Sequence, residues 1–212
     1  MTHNIPSFIN LAIKKKVLQF GEFTTKAGRK SPYFFNLGNF NDGESIRELG
    51  KYYAQIIVNS NIEFDMIFGP AYKGIPLVSS IAIALMEHNI NIPYSFNRKE
   101  IKDHGEGGNI IGADPAGNVL IIDDVLSAGT AARESIKILE DLNATPKIFL
   151  VGLDRQEKGN SELSAKSEIE TDFGINVSSI INLDALIEYS HTNQNFYSYV
   201  EELEQYRNSW GA

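Results

Sequence analysis

Residues Val119–Ala132 read VLIIDDVLSAGTAA. Four apolar residues, Val119 to Ile122, run into two adjacent carboxylates, Asp123 and Asp124, and a turn of small residues follows at once. A continuous apolar run of this kind suits a strand buried on both faces of a sheet. The small residues then open a helix over 130–142, where Ala132, Ile136, Leu139 and Leu142 share one face. Two like charges side by side repel, so a cation or a hydroxylated ligand is expected opposite them. The start of the following helix offers backbone N–H groups and a positive dipole end to an anion. A phosphate next to sugar hydroxyls satisfies both halves; the plainer alternative is a pair of acids that only caps the helix.

The same strand, turn and helix order recurs on either side. Upstream, FDMIFG (64–69) predicts a strand followed by a helix over 74–89, and Ile46, Leu49, Tyr53, Ile56 and Ile57 predict a helix over 44–60. IPYSFN (92–97) predicts a strand, RKEIKDHGEGG (98–108) a polar loop, and NIIGA a short strand. Downstream come a strand at KIFLVGL (147–153), a loop, a strand at SSIINL (178–183) and a C-terminal helix carrying Phe196, Val200, Leu203 and Tyr206. At the N-terminus, Phe8, Leu11 and Ala12 predict an amphipathic helix over 8–18, with Lys14 to Lys16 near its end. Residues 17–40 alternate short apolar groups with Gly, Lys and Pro32, which predicts paired strands forming a small hood. These alternating elements predict an α/β fold with a mostly parallel central sheet flanked by helices, in which ligands bind outside the carboxyl ends of the strands.

Composition bounds the class. A chain of 212 residues with 42% hydrophobic and 22% charged residues suits one compact domain, 1–212, with the hood packed on its core. The 27 acidic residues against 19 basic ones give a net charge of -8, the wrong sign for a protein that wraps nucleic acid. With no cysteine, neither a disulfide framework nor a thiolate metal cluster is expected. Its apolar runs are far below the roughly 20 residues of a membrane span, and a cytoplasmic location is the expectation. His3, His88 and His191 show neither metal-ligand spacing nor a nearby acid, and Asp184 in NLDALIEYSH is expected to cap a helix. The run 157–170 is expected to be a polar excursion away from the chemistry.

Neither a G-x-x-x-x-G-K-[ST] loop nor a G-x-G-x-x-G helix start occurs, which weakens two nucleotide-binding readings. The stretch VLIIDDVLSAGTA resembles instead the phosphoribosyl-pyrophosphate signature of the type I phosphoribosyltransferases. FTTKAGRKSPYFFNLG (23–38), GPAYKGIPL (69–77) and FNRKEIKDHGEGGNIIGA (96–113) resemble, in family order, three further signatures of the orotate phosphoribosyltransferases. The resemblance implies the type I phosphoribosyltransferase fold and magnesium-dependent transfer of phosphoribose from 5-phosphoribosyl 1-pyrophosphate (PRPP) to orotate. It implies that Asp123 and Asp124 hold the ribose hydroxyls while Val125, Leu126 and the turn Ser127, Ala128, Gly129, Thr130 and Ala131 seat the 5-phosphate. Lys26, Tyr72, Lys73, Arg98, Lys99, Lys102 and His104 are implied for the pyrophosphate, with Lys102 and His104 on a mobile lid over 98–108. Lys26, Phe34, Phe35, Ser127 and Arg155 are implied for orotate, Arg155 as a bidentate partner of its carboxylate. Magnesium is implied as bound through PRPP with no firm direct protein ligand, and a homodimer is implied in which the lid acts across the interface. Ser127 departs from the threonine frequent in the family but keeps a hydroxyl. Two other readings share the signature: a donor-sensing regulator, which would need a DNA-binding module or basic face, and transfer to a purine or to uracil.

Overall fold

The computed structural model describes residues 4–25, 28–60, 63–102 and 108–212, with the backbone alone for 101, 102 and 108. Helix α1 (Ile5–Lys14) starts at Asn4, whose side chain accepts the Ser7 N–H while the Ser7 hydroxyl accepts the Asn4 N–H. It begins earlier than the apolar spacing predicted because this reciprocal cap and Pro6 fix its first turn. Strands β1 (Leu18–Thr24) and β2 (Lys30–Phe35) pair antiparallel as a separate two-stranded sheet, the predicted hood. The main sheet has six strands in the order β5-β4-β3-β6-β7-β8. Its members are β3 (Met66–Gly69), β4 (Tyr94–Lys102), β5 (Gly108–Gly112), β6 (Asn118–Leu126), β7 (Thr145–Asp154) and β8 (Asn176–Asn182). All neighbouring pairs are parallel except β4 with the edge strand β5.

Helices α2 (Gly43–Ser60) and α3 (Gly74–Leu85) belong to one face, and α4 (Thr130–Asp141) and α5 (Ala165–Phe173) to the other. Helices α6 (Leu183–Thr192) and α7 (Val200–Trp210) join the first face. The apolar runs of the middle strands therefore supply two cores at once. Leu120, Ile122, Ile148 and Leu150 pack with α2, α3 and the hairpin, while Val119, Ile121, Phe149 and Val151 pack with α4 and α5. Side chains alternate across a strand, so a run with no polar interruption covers both faces. Each such residue, fully buried, contributes about 1.5–3 kcal/mol of apolar burial.

Four departures from the sequence reading have local causes. Residues 98–102, expected in a loop, continue β4 and pair with β5, Lys102 opposite Gly108. Backbone pairing needs no apolar side chains at a sheet edge, so a polar, lysine-rich strand reads as a loop. Helix α5 occupies part of the run expected as a polar excursion; its Ser164 cap accepts the Ser167 N–H, but it buries only Ala165, Glu168 and Ile169. The cap of α6 is Asn182, which accepts the Ala185 N–H, whereas Asp184 pairs with Arg207. His191, expected to lack a nearby acid, lies 3.3 Å from Glu204 of α7, a neighbour that only the packing of α6 on α7 supplies. Among the described residues, no helix is long and apolar enough to cross a membrane.

Candidate active site

The chain leaves β3 toward β4 on one side and β6 toward β7 on the other, so the sheet's order reverses between β3 and β6. Parallel sheets open a crevice at such a reversal. From β3 comes the turn 70–73, closed by the Gly74 N–H donating to the Pro70 carbonyl at 2.9 Å, and containing a cis peptide between Ala71 and Tyr72. Gly69 and Gly74 face each other across its base: a Cβ on Gly69 would lie 2.4 Å from the Gly74 carbonyl oxygen. The Ala71 N–H donates to Asn97 Oδ1 at 2.8 Å, tying the turn to β4. From β6 come Asp123 and Asp124, which lie within the strand, since it continues to Leu126 beyond the expected end at Ile122.

Lys73 bridges the crevice. Its Nζ lies 2.8 Å from Asp124 Oδ2 and donates to Asn36 Oδ1 at 3.0 Å, joining the β3 turn, the end of β6 and the segment after the hood. This is the cation expected opposite the paired acids. Asp123 is 7% exposed; its Oδ1 accepts the Asp124 N–H at 2.8 Å, and its carbonyl accepts the Tyr53 hydroxyl at 2.8 Å. Burial, and then the neighbouring Asp124 charge, push the Asp123 carboxyl up to about 7. Without a ligand the pair therefore holds a proton through the acidic range.

The turn after β6 enters α4 through Gly129, whose φ of 83° lies in the left-handed region that glycine tolerates. No side chain caps α4, so its first N–H groups point outward without a capping oxygen. Arg133 braces the turn from behind: Nη1 donates to the Ala128 carbonyl at 3.0 Å, and Nη2 pairs with the buried Glu168. Glu168 also accepts the Asn160 and Ser161 N–H groups and the Ser161 hydroxyl. Leu126 is a core residue whose carbonyl accepts the Arg155 N–H at 2.9 Å, so its side chain offers nothing to a ligand.

A cavity of about 410 Å³ opens between this strand-end cluster and the hairpin. It is lined by Lys73, Asp124, Val125, Ser127 and Ala128 from the sheet and its turns, by Phe23, Arg29, Phe34 and Phe35 from the hairpin, and by Arg155 and Glu157 from the segment after β7. Phe34 is 41% exposed and stacks on Phe23 at 5.4 Å between ring centroids, while Phe35 turns into the core at 7%. Both phenylalanines line the cavity, and Phe34 offers it the more exposed ring. A larger groove of about 490 Å³ lies between the hairpin and α7, but neither Lys73 nor the paired aspartates reach it.

Arg155 is placed at the cavity but not as a free fork. It is 7% exposed, with Nε donating to Glu157 Oε1 at 2.6 Å and Nη2 donating to Ser31 Oγ at 3.1 Å and Tyr206 Oη at 2.7 Å. Its plane also stacks over the Tyr33 ring, 4.4 Å from the centroid. Burial opposes its charge, but the adjoining Tyr33 and Glu157 more than offset this and hold its pKa above the ordinary guanidinium value. Only Nη1 lacks a partner among the described residues, so the expected bidentate grip is replaced by a single available nitrogen. Glu157, within the run expected to be remote from the chemistry, is 4% exposed and also holds Arg29 at 2.9 Å. Glu157, Arg29, Phe23, Asn36 and Tyr206 were all missed from the sequence, since only contacts between distant segments distinguish them from surface or core residues.

Of the pyrophosphate candidates, Tyr72 is 65% exposed on the β3 turn with the Lys99 ammonium 5.3 Å from its ring centroid. Arg98 and Lys99 stand on β4. Lys26, His104, the side chain of Lys102 and residues 103–107 of the expected lid lie outside the described residues, as does His3. Among the described residues, no three acidic or histidine side chains gather as a metal cluster. The nearest hard-oxygen donors, Asp123 and Asp124, are few, and Asp124 is held by Lys73.

A mostly parallel sheet with an antiparallel edge, paired acids at the reversal point and an uncapped helix start beyond them define a type I phosphoribosyltransferase, and a phosphoribosyl transferase domain model matches residues 37–178. The chain is 56% identical to the orotate phosphoribosyltransferase of Nitrosomonas europaea over 205 residues, covering 97% of this chain and 90% of that protein. It is 52% identical to the orotate phosphoribosyltransferase of Neisseria meningitidis serogroup C over 212 residues, the whole of both. Against the crystal structure of orotate phosphoribosyltransferase from Francisella tularensis, the TM-score is 0.85 at 44% identity, covering 97% of this chain and 100% of that one. The chain belongs to the orotate phosphoribosyltransferases, a family of pentosyltransferases.

Proposed function

We propose that this chain transfers the phosphoribosyl group of PRPP to orotate, giving orotidine 5-monophosphate and pyrophosphate, the pyrimidine biosynthetic step. The carrying observation is the strand end at which Asp123 and Asp124 meet Lys73, next to the uncapped start of α4 and the cavity under Phe34. The donor's anomeric C–O bond breaks with its electron pair passing to pyrophosphate, and a ring nitrogen of orotate supplies the pair for the new C–N bond as its proton passes to water. Asp123 and Asp124 accept from the ribose hydroxyls, which orients the anomeric carbon; the N–H groups of 127–131 receive the 5-phosphate. Because the leaving group departs with several negative charges, cations at its oxygens lower the barrier most.

Lys73, Tyr72, Arg98 and Lys99 are assigned to that end of the donor. Lys102 and His104, with Lys26, complete the set by motif. An amine in a phosphate-rich site keeps its proton, so the larger role of Lys102 is charge stabilisation. Magnesium carried in on PRPP would supply further neutralisation of the pyrophosphate, with Asp123 and Asp124 as the residues that would help hold it. Phe34 stacks the flat acceptor ring, Ser127 adds a hydroxyl, and Arg155 Nη1 meets the carboxylate. The family resemblance also assigns a homodimer in which the 98–108 segment acts across the interface, in the cytoplasm.

Purified protein mixed with PRPP, magnesium and orotate is expected to consume orotate, followed by loss of its absorbance, while uracil and hypoxanthine remain. Consumption of a control base without orotate would overturn the acceptor assignment. Replacing Lys102 with Ala is expected to slow turnover far more than it weakens PRPP binding; near-normal turnover would remove that residue from the mechanism.

A further inference from the structure

Behind the acceptor end of the cavity lies a buried polar cluster in which several groups have no part in the reaction above. Glu157 Oε1 accepts from Arg155 Nε and from the Tyr206 hydroxyl, while Oε2 accepts from Arg29. Tyr206 Oη in turn accepts from Arg155 Nη2 at 2.7 Å. The tyrosine thus holds both partners of the Arg155–Glu157 pair. It sits on α7, and it lines the groove on the far side of the hairpin, not the site cavity. Any effect it has on a ligand in that cavity must pass through the lining residues it touches, Arg155, Glu157 and Tyr33.

We propose that Tyr206, together with Glu157, is a positioning residue that sets the Arg155 guanidinium for the carboxylate of the acceptor, so that the C-terminal helix completes the acceptor half of the site. This rests on the assignment of Arg155 to the orotate carboxylate. A guanidinium has five N–H donors in one plane. Here Nε and both protons of Nη2 are engaged, which fixes the plane and leaves Nη1 as the free corner. The guanidinium carbon also lies over the Tyr33 ring, 4.4 Å from its centroid, and over the Tyr206 ring, 5.5 Å from its centroid, which adds packing to the hydrogen bonds.

The charges fit the same role. Arg29 and Arg155 around one Glu157 make a unit of net charge +1, matched to one carboxylate; without Glu157, the half-buried Arg29 and the buried Arg155 would repel and Arg155 would lose the partner at Nε. Burial pushes the Tyr206 phenol up from its ordinary value, so it keeps its proton and serves as acceptor to arginine and donor to glutamate together. The matched phosphoribosyl transferase domain covers residues 37–178, so α7 lies beyond the matched part of the chain, and among the described residues Tyr206 hydrogen-bonds to none of the donor residues assigned above. An effect of Tyr206 is accordingly expected on the acceptor and not on PRPP.

The test is steady-state kinetics on the full-length Tyr206→Phe, Glu157→Gln, Arg155→Met and Arg155→Met/Tyr206→Phe variants, with orotate and PRPP varied separately. Tyr206→Phe removes one oxygen from a packed ring and is expected to raise the orotate KM about three- to tenfold, leaving the PRPP KM and kcat within about twofold. Glu157→Gln is expected to show the same split. In the double variant the orotate KM should match that of Arg155→Met alone, since the positioning runs through the arginine. If Arg155→Met leaves the orotate KM unchanged, the assignment of Arg155 fails and the inference with it. If Arg155→Met raises it while Tyr206→Phe does not, or if the KM values for both substrates rise together, or if the two substitutions act additively, the inference alone is overturned.

Discussion

The two halves of the site are built in opposite ways. The part proposed for the donor's ribose and 5-phosphate is nearly contiguous: Asp123, Asp124, the turn 127–129 and the start of α4 follow one another along the chain, and Lys73 comes from the turn after the neighbouring strand β3. The acceptor half is collected from afar, with Phe34 on the hairpin, Arg155 and Glu157 after β7, and Tyr206 on the C-terminal helix. Phosphate and diol recognition draws on backbone N–H groups and a strand end, features that a short segment carries by itself. Recognition of a flat anionic ring needs an aromatic face, a cation and support for that cation, which no single segment supplies here.

This contrast orders the expected effects of substitution. Neutralising both strand-end acids, Asp123→Asn with Asp124→Asn, is expected to lower ribosyl transfer by about a thousandfold or more, because each removes charge facing the reacting sugar. Retention of activity within tenfold would show that the donor half is not where it is drawn. Gly69→Ala should come next: its Cβ meets backbone at 2.4 Å, not a side chain that can swing away, so a loss of about 2–3 kcal/mol in denaturant unfolding is expected. Phe34→Ala is expected to raise the orotate KM about tenfold with the PRPP KM unchanged, which would separate the halves kinetically. Equal shifts in both constants would join them.

A smaller effect concerns pH. The Asp123 carboxyl is raised from 3.8 to about 7, so between these values the folded state binds more protons than the unfolded one. Stability contributed by this group is present at low pH and is lost as pH rises through about 7. Asp123→Asn should therefore raise the stability of the ligand-free protein by at least about 1 kcal/mol at pH 8 and by much less at pH 5, measured by thermal unfolding. A difference of the opposite sign would refute the burial argument. Smallest of all is the exposed Arg207–Asp184 pair, 2.8 Å apart on the surface; Arg207→Ala is expected to change stability by less than about 0.5 kcal/mol and neither KM.

Legibility followed the same division. The apolar runs at β3, β6 and β7 announced strands buried on both faces, and the acids after Ile122 announced the crevice, although β6 continues through them to Leu126. Strand β4 beyond Asn97 and helix α5 escaped notice because edge pairing and a short, weakly buried helix leave little apolar period to read. Glu157 and Glu168 looked like members of a solvated run. Each is buried where an arginine from a distant segment meets it, Arg29 for Glu157 beside its near neighbour Arg155, and Arg133 for Glu168.

By itself, the chain's order of residues determined the layered α/β plan, the strand end with its two carboxylates and the small-residue turn that follows, since these depend on period, local backbone and adjacent charge. Only the folded arrangement decided that Phe34 is the more exposed of the two rings at the cavity, that Lys73 answers Asp124, and that Arg155 arrives with two of its three nitrogens engaged. Those outcomes are set by which distant segments share a wall, and an ion pair or a stacked ring exists only once both members have been brought together.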